Sequence, residues 1–276
     1  VLLVYGGGSI KKSGLYDAVL AGIAAAAGSV TELSGVDPNP RLSSVCRGVE
    51  LCREKKINCI IGAGGGSALD CAKAISVVTA TGGDAWDIVK DSSRITGRIP
   101  VIAIPTLTAT GSETDGYAVI SNPETREKVG IGSDYARPVA AIMDPEYTYS
   151  VNAWQTGAGA ADVLSHVLEV YFDRNSGAYV KNRMCEAVMK TVIQYAGRAI
   201  RHPDQYEARS NLMWAASVAI NGELSLGNGS TAWSCHGMEH PLSGVYDITH
   251  GAGLAVLTPG WMRYVLNRDT VDKFAE

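Results

Sequence analysis

INCIIGAGGGSALDCAKAISVV, residues 57–78, places an apolar run, a glycine-rich loop and a helical pattern in direct succession. The run at 57–62 predicts a buried strand, and SALDCAKAISVV predicts a helix. Ser67 and Asp70 form an S-x-x-D signature, which predicts that the helix starts at the loop. Backbone amides at a helix start can bind phosphate, so the stretch indicates a phosphate site, with a tight turn as the alternative.

The first half of the sequence repeats this alternation of apolar runs and helical segments. Further runs predicted as strands are LLVY (2–5), PVIAIPT (100–106) and PVAAIMD (138–144). Strands that are apolar throughout and separated by helices indicate an α/β fold with a parallel sheet covered on both faces. Beyond residue 150 the strand signals give way to helical patterns near 155–172, 178–200 and 205–222. We therefore predict two domains, 1–150 and 151–276, and expect the second to be incomplete at its C-terminus.

The overall composition is that of an ordinary globular protein. The 276 residues are 46% hydrophobic and 19% charged, with a net charge of -4 and no basic run. This balance gives no electrostatic reason to expect a nucleic acid or an anionic membrane as a partner. The six cysteines form no CxxC pair, and no apolar run reaches membrane-spanning length. We expect a cytoplasmic protein with reduced thiols.

Two further loops follow predicted strands. Gly6, Gly7, Gly8 and Ser9 come directly after the first strand, and PTLTATGSE (105–113) follows the strand at 100–106. Ligands of open parallel sheets bind at the carboxyl ends of the strands, so these loops are candidates for ligand contact. Threonine-rich loops are also ordinary turns, which makes the second signal weak.

The helical stretch GAGAADVLSHVLEVYF (157–172) carries Asp162, His166 and Glu169 at i, i+4 and i+7. These positions share one stripe, and most of the remaining surface is apolar, as in a buried helix. Buried charge is costly unless it is paired or binds a metal. The stretch alone allows a satisfied core histidine, with Asp162 as a helix-start residue, or a divalent cation site.

A second histidine cluster favours the metal. His236, His240 and His250 lie within SCHGMEHPLSGVYDITHG (234–251). Asp162 and His166 together with two of these histidines would suit zinc or ferrous iron and leave a position open for substrate. The HExxH pattern of zinc proteases is absent.

Four segments carry a resemblance to a known family. GAADVLSHVLEVYF (159–172) and HGMEHPLSGVYDITHGAGLAVL (236–257) resemble the metal-site region of the iron-containing (group III) alcohol dehydrogenases. GGGSALDCAKAI (64–75) and IPTLTATGSE (104–113) resemble their cofactor loops. The pattern is most similar to the butanol dehydrogenase branch, which reduces aldehydes with NADPH. The resemblance implies a dehydroquinate synthase-like architecture, with a parallel-sheet dinucleotide-binding domain at 1–150 and an all-helical metal and substrate domain at 151–276.

The resemblance also implies roles for individual residues. Asp162, His166, His236 and His250 match the metal ligands, and His240 matches a histidine near the substrate that is not a ligand. Positions that match cofactor contacts are Gly65, Gly66, Ser67, Asp70, Thr106, Thr110, Lys128 and Asn39. Glu169 matches no ligand, so we expect its carboxylate to be solvated or hydrogen-bonded.

The expected activity is hydride transfer between NADP(H) and small linear alcohols or aldehydes such as butanol and butanal, in a homodimer that binds one divalent iron or zinc ion. NADP(H) is expected over NAD(H) because LLVYGGGSIKK (2–12) has no acid to repel a 2′-phosphate, so that Gly7, Gly8 and Ser9 would line that site. The alternatives are a glycerol dehydrogenase-like polyol oxidoreductase, a metal-assisted hydrolase or lyase without redox chemistry, and a non-catalytic cofactor-binding fragment.

Overall fold

The computed structural model describes residues 1–26, 28–173, 177–226 and 231–276, which form two compact units. The first unit comprises 1–107 and 112–150, and the second comprises 108–111 and 151–276. The short segment 108–111 thus belongs to the helical unit although both of its neighbours in sequence belong to the first.

The first unit is built around a parallel sheet. Its elements in chain order are β1 (Leu2–Tyr5), α1 (Ser9–Lys12), α2 (Leu15–Ala25), β2 (Thr31–Leu33), α3 (Leu42–Glu54), β3 (Ile60–Gly64), α4 (Gly66–Thr81), α5 (Ala85–Lys90), β4 (Val101–Pro105), β5 (Tyr117–Asn122), β6 (Glu127–Gly132) and β7 (Ala140–Ala141). The sheet has the order β2-β1-β3-β4-β7 with parallel pairing throughout, and β5 and β6 form a separate antiparallel hairpin. The strand order reverses direction between β1 and β3, which is the position where open α/β sheets bind their ligands.

Alternate residues of β1 enter two different cores. Leu2 and Val4 belong to the core that α3 and α4 cover, whereas Leu3 and Tyr5 belong to the core that contains apolar residues of α1 and α2. Successive strand side chains point to opposite faces, so an apolar run such as LLVY is what a sheet with helices on both faces requires.

The predicted parallel sheet is confirmed, but several boundaries differ from those predicted. The third strand is Ile60–Gly64 rather than 57–62, and the apolar run at 138–144 contributes only Ala140–Ala141 to the sheet. A separate short helix, α1, precedes α2, and Gly14, at φ 79°, lies directly before the first residue of α2. β2 and the β5–β6 hairpin were not predicted, because their alternating or partly polar sequences carry little apolar signal.

The predicted S-x-x-D capping of α4 is wrong. The helix begins at Gly66 with Gly65 at the N-cap, and no side chain caps it. Asp70 instead points into the protein, where its Oδ1 accepts a hydrogen bond from Ser112 Oγ (2.5 Å) and its Oδ2 accepts one from the Val119 backbone N–H (2.9 Å). The carboxylate therefore ties α4 to the chain around β5 and does not cap the helix.

The second unit is helical. Its helices are α6 (Ala153–Tyr171), α7 (Tyr179–Arg201), α8 (Tyr206–Ile220), α9 (Ser234–Tyr246), α10 (His250–Val265) and α11 (Val271–Ala275). Val163, Val167 and Val170 of α6 are fully buried in a core shared with α7 and α8. Among the described residues, none of the helices combines the length and apolarity that a bilayer crossing requires.

A buried ion pair links α4 to the segment that precedes β5. Lys73 is completely buried, and its Nζ lies 2.6 Å from Asp115 Oδ1, 2.8 Å from the Ser112 carbonyl oxygen and 2.9 Å from Ser112 Oγ. Burial raises the pKa of both Asp70, to about 6, and Asp115, while the Lys73 ammonium opposes the rise. The ammonium thus compensates two buried carboxylates.

We expect Lys73→Met to lower the free energy of unfolding by about 3–5 kcal/mol, because it leaves buried carboxylates without a cation. Urea denaturation measures the change. Lys55→Met is the matched control, since Lys55 lies at the exposed C-terminal end of α3 and a surface substitution shifts stability by about 0.5 kcal/mol or less. Equal stability of the two variants would show that the buried pair contributes nothing.

Candidate metal centre and cofactor loops

The metal ligands predicted from the sequence converge from three helices of the second unit. Asp162 and His166 lie on α6, His236 is the third residue of α9, and His250 is the first residue of α10. Asp162, His166 and His236 are 1%, 6% and 8% exposed, so the cluster lies in the interior.

The Oδ1 atom of Asp162 is the common point of the cluster. It lies 3.6 Å from His166 Nε2, 3.7 Å from His236 Nε2 and 3.7 Å from His250 Nε2. These separations are too long for hydrogen bonds. Four ligand atoms bound tetrahedrally at about 2.1 Å from one ion lie about 3.4 Å apart, which is close to the observed spacing.

The unpartnered atoms give an independent test of this fit. In the parts of the chain that the structure describes, the buried carboxylate and imidazole atoms without a hydrogen-bond partner are Asp162 Oδ1, His166 Nδ1 and His236 Nε2. A buried polar atom without a partner is costly, and a cation bound to Asp162 Oδ1 and His236 Nε2 would remove that cost at both atoms. The residues present therefore fit a divalent ion.

The electrostatics of the cluster favour a charged Asp162 and a neutral His166, whereas His236 must release a proton before its Nε2 can bind a metal ion. Burial lowers the pKa of His166 to about 3, against the opposing attraction of Asp162, so its imidazole is neutral at physiological pH. Burial also disfavours charge on His236, but Asp162 and Glu169 outweigh that effect and raise its pKa to about 9. The neighbouring histidines hold the pKa of Asp162 below its usual range although burial acts in the opposite direction.

Glycines allow the helices to approach closely enough to form the cluster. A Cβ added at Gly251, next to His250, would lie 2.0 Å from the backbone oxygen of Ala158 on α6. A Cβ at Gly159 would lie 2.1 Å from the backbone oxygen of Thr108. These positions exclude any side chain, so glycine after His250 is what lets the start of α10 pack against α6.

Glu169 and Glu239, which the sequence analysis did not assign to the site, contact two of the histidines. Glu169 Oε1 is hydrogen-bonded to His236 Nδ1, and Glu239 Oε2 is hydrogen-bonded to His250 Nδ1. Both carboxylates are buried, at 5% and 0% exposure. Their signal in the sequence is a glutamate within a largely apolar helix, three residues from a histidine predicted as a ligand.

His240 lies at the edge of the same cluster. It is partly exposed, and its ring centroid lies 5.7 Å from that of His250 and 6.4 Å from that of His236. A ligand atom of His240 also falls within 4.8 Å of ligand atoms of Glu239 and His250. The structure thus places this histidine next to the candidate ligands, on the side that is accessible to solvent.

The two glycine-rich loops of the first unit follow the neighbouring strands β1 and β3, where the strand order reverses. Gly62 and Gly64 are explained by the fold: a Cβ at Gly62 would lie 3.1 Å from Ala72 Cβ, and Gly64 has φ 154° and would place a Cβ 2.9 Å from Ala68 Cβ. Gly65 has an ordinary φ, and a Cβ there would meet Leu107 at 3.5 Å, which is normal contact. Neither packing nor backbone conformation requires glycine at 65, which favours approach by a ligand.

The loop after β1 shows the same contrast. Gly8 has φ 101°, a conformation that favours glycine, whereas Gly7 has no strained φ and open space around its missing Cβ. Lys11, which follows this loop, places its Nζ over the rings of Tyr5 and Tyr16 at 5.4 and 4.6 Å. Glu32 of β2 accepts hydrogen bonds from both tyrosine hydroxyls, so an acid does lie near the end of β1.

The remaining predicted cofactor residues are distributed over both units. Thr106 donates its backbone N–H to the carbonyl of Gly64, the last residue of β3 (2.9 Å), which places it near the start of α4 at Gly66 and Ser67. Asn39 lies in a segment that is hydrogen-bonded at both ends. At one end the Gly35 N–H donates to the Gly6 carbonyl (3.1 Å), and at the other the Pro40 carbonyl accepts the Ser121 backbone N–H.

Lys128 is the β6 register partner of Ser121, so it lies near the end of that segment. Thr110 belongs to the second unit, and both oxygens of Asp70 are taken up by the protein. Asp70 therefore links α4 to Ser112 and to Val119 of β5. Its contact with a cofactor stays a prediction.

Comparison with known families gives matches over nearly the whole chain. The iron-containing alcohol dehydrogenase family matches residues 1–145, and the C-terminal domain of the Fe-containing alcohol dehydrogenase family matches residues 156–276.

Individual relatives are similar over the same span. The NADH-dependent butanol dehydrogenase A of Clostridium acetobutylicum is 54% identical over 274 residues, which are 99% of this chain and 70% of the relative. The NADPH-dependent aldehyde reductase YqhD of Escherichia coli is 35% identical over 262 residues, 94% of this chain and 67% of the relative. The crystal structure of NADH-dependent butanol dehydrogenase A from Thermotoga maritima matches with a TM-score of 0.93 at 42% identity, covering 95% of this chain and 66% of that one. The chain thus spans about two thirds of the length of these relatives.

The cluster geometry predicts which substitutions abolish metal binding. Asp162→Asn and His250→Ala should each lose the bound ion, because each removes one donor from the set around Asp162 Oδ1. His240→Ala should keep the ion and lower turnover by about 10²–10⁴-fold, the range for loss of a general acid or base. Elemental analysis after gel filtration and steady-state kinetics are the measurements. Full metal content in Asp162→Asn, or stoichiometric loss in His240→Ala, would contradict the assignment.

Proposed function

This chain belongs to the iron-containing alcohol dehydrogenase family, and we propose that it is a metal-dependent alcohol dehydrogenase that acts chiefly as an aldehyde reductase on small linear substrates. The observation that carries the proposal is the unpartnered Asp162 oxygen with three imidazole nitrogens at 3.6–3.7 Å. The names of its relatives, butanol dehydrogenases and an aldehyde reductase, support the substrate class. Family membership argues against the hydrolase or lyase alternative.

Asp162, His166, His236 and His250 would hold the ion. One carboxylate and three imidazoles accept both iron and zinc, so the donor set does not choose between them. When bound, such an ion supplies Lewis acidity towards a carbonyl oxygen. The chain contributes a buried carboxylate and a neutral His166, both in place before the ion binds.

His240 is proposed to move a proton to or from the substrate oxygen. It lies beside the ligand His250 without belonging to the set around Asp162, and it is partly exposed, so its imidazole can exchange protons with solvent. An imidazole titrates near physiological pH, which suits a group that must give up and regain a proton in each cycle.

The first unit would bind the nicotinamide cofactor, which supplies or accepts the hydride. The loops after β1 and β3 flank the point where the strand order reverses. Neither packing nor backbone conformation requires glycine at residues 7 and 65, and the absence of a side chain there lets a ligand approach the backbone. The backbone amides at the start of α4, around Gly66 and Ser67, suit a pyrophosphate.

The proposed activity is tested with the purified protein, loaded anaerobically with Fe²⁺ or Zn²⁺, by following the nicotinamide absorbance with butanal and either NADH or NADPH. We expect aldehyde-dependent oxidation of the cofactor that a chelator abolishes and added metal restores. Faster turnover with glycerol and NAD⁺ than with any linear substrate would favour the polyol alternative. Absence of any change in absorbance with all substrates would refute the redox proposal.

The preference for NADP(H) over NAD(H) is a separate prediction. Open backbone at Gly7 and the exposed Lys12 support it, whereas two relatives at 54% and 51% identity are named NADH-dependent. A carboxylate at residue 7 would face a 2′-phosphate, so Gly7→Asp should shift the ratio of kcat/KM values towards NAD(H) by about tenfold or more. Gly7→Asn has nearly the same shape without charge and should shift the ratio less.

Gly7 is the position for this test because Gly8 has φ 101°, where any side chain would strain the backbone. The ratio of kcat/KM for NADPH to that for NADH is measured in the parent and both variants. A parent that favours NADH, or equal shifts in both variants, would refute the prediction.

A further inference from the structure

We propose that Glu169 and Glu239 are positioning residues of the metal centre, each of which binds Nδ1 of one ligand histidine and thereby directs its Nε2 towards Asp162. The inference rests on the proposed metal centre, and it concerns carboxylates that the family resemblance did not assign to the site.

Glu169 bridges two helices. It lies on α6 two turns after Asp162, and its carboxylate reaches the N-terminus of α9, where Oε2 accepts the Cys235 backbone N–H (2.7 Å) and Oε1 accepts the His236 backbone N–H (3.3 Å). Oε1 is also hydrogen-bonded to His236 Nδ1. The N-cap residue of α9, Trp233, has φ 47° and makes no side-chain cap. Glu169 therefore satisfies N–H groups that a helix start leaves free, and holds the ring of His236 with the same carboxylate.

Glu239 makes the corresponding contact to the third helix. It lies one turn after His236 on α9, is completely buried, and binds His250 Nδ1 through Oε2 while Oε1 accepts a hydrogen bond from Ser243 Oγ. A Cβ at Gly253 would lie 2.9 Å from Glu239 Cγ, so glycine at that position leaves room for the carboxylate. A buried carboxylate in this position is costly by itself, and its contact with the imidazole compensates that cost.

These contacts select the ligating nitrogen. A neutral imidazole carries one proton, and a carboxylate at Nδ1 keeps that proton on Nδ1 and leaves the lone pair on Nε2. In both His236 and His250 it is Nε2 that faces Asp162 Oδ1, at 3.7 Å. His166 differs, because its buried Nδ1 has no hydrogen-bond partner among the described residues. Its ring instead stacks on that of His236, with centroids 4.7 Å apart.

The two carboxylates therefore do more than fill the interior of the helical unit. Each adds negative charge next to a ligand imidazole, which makes that imidazole a stronger donor, and each fixes the direction of the ring before a metal ion arrives. Removing the charge and removing the hydrogen-bond acceptor should have separable effects on affinity.

Metal affinity, measured without turnover, tests the inference. The dissociation constant for Co²⁺ is determined by chelator competition for the parent, Glu239→Gln, Glu239→Met and Glu169→Gln, and the visible spectrum of the Co²⁺ form is recorded for each. Glutamine keeps an acceptor but loses the charge, so we expect binding about tenfold weaker; methionine loses both, so we expect about 100-fold. The Co²⁺ bands should shift in each variant.

Glu186→Gln is the matched control. Glu186 is also buried in the helical unit, at 7% exposure, but it binds the Tyr171 hydroxyl (2.8 Å) and Arg183 rather than a ligand histidine. Its variant should keep the parent's affinity within about threefold. Because Glu169 also caps α9, Glu239 gives the decisive comparison if Glu169→Gln is poorly folded.

Parent-like affinity and spectrum in Glu239→Met would overturn the inference and leave the proposed function intact. An equal loss in Glu186→Gln would show a general effect of buried charge on the unit and would also overturn it. A parent protein that binds no divalent ion would refute the proposed metal centre itself.

Discussion

The helical unit depends on one buried carboxylate oxygen that the protein does not satisfy. Asp162 Oδ1 has no hydrogen-bond partner, yet three imidazole nitrogens surround it at distances too long for hydrogen bonds. Packing alone would not favour such an arrangement, because each unpartnered buried polar atom costs free energy. The arrangement is explained if the atoms share a cation, and the glycines that bring α6 and α10 together then have a common purpose.

Much of the helical unit can be understood as support for that cluster. Gly251 allows α10 to begin against α6, so that His250 reaches Asp162 from the first residue of its helix. Glu169 stabilises the start of α9 by accepting the backbone N–H groups of Cys235 and His236, in a helix whose own N-cap residue provides no side-chain cap. The apolar face of α6, with Val163, Val167 and Val170 fully buried, keeps the helix that carries Asp162 fixed in the core. Hydrophobic packing holds the helices, and the polar contacts set the direction of a few side chains.

The sequence predicted the elements that have strong apolar patterns and missed those that do not. The parallel sheet and the long helices followed from continuous apolar runs and helical periodicity. β2 (Thr31–Leu33) was missed because it is short and is defined by its pairing with β1, which is distant in sequence. The β5–β6 hairpin pairs locally but was missed because its strands are partly polar. The S-x-x-D pattern at Ser67 and Asp70 misled because tertiary partners, Ser112 and Val119, took up the carboxylate. The same limit applies to Glu169 and Glu239: spacing shows that they lie near histidines, but only the packing of three helices shows which nitrogen each contacts.

A comparison of buried charges in the two units separates structural groups from candidate functional ones. In the first unit, Lys73 is completely buried, but its ammonium has three oxygen partners within 2.9 Å, and the Asp70 oxygens each accept a hydrogen bond. Such a group is complete within the protein and acts as a link between segments. In the second unit, Asp162 and His236 are equally inaccessible, but Oδ1 and Nε2 are left without partners. Burial is therefore the same in both cases, and the unmet requirement for a partner is what identifies the cluster around Asp162 as a place where something else must bind.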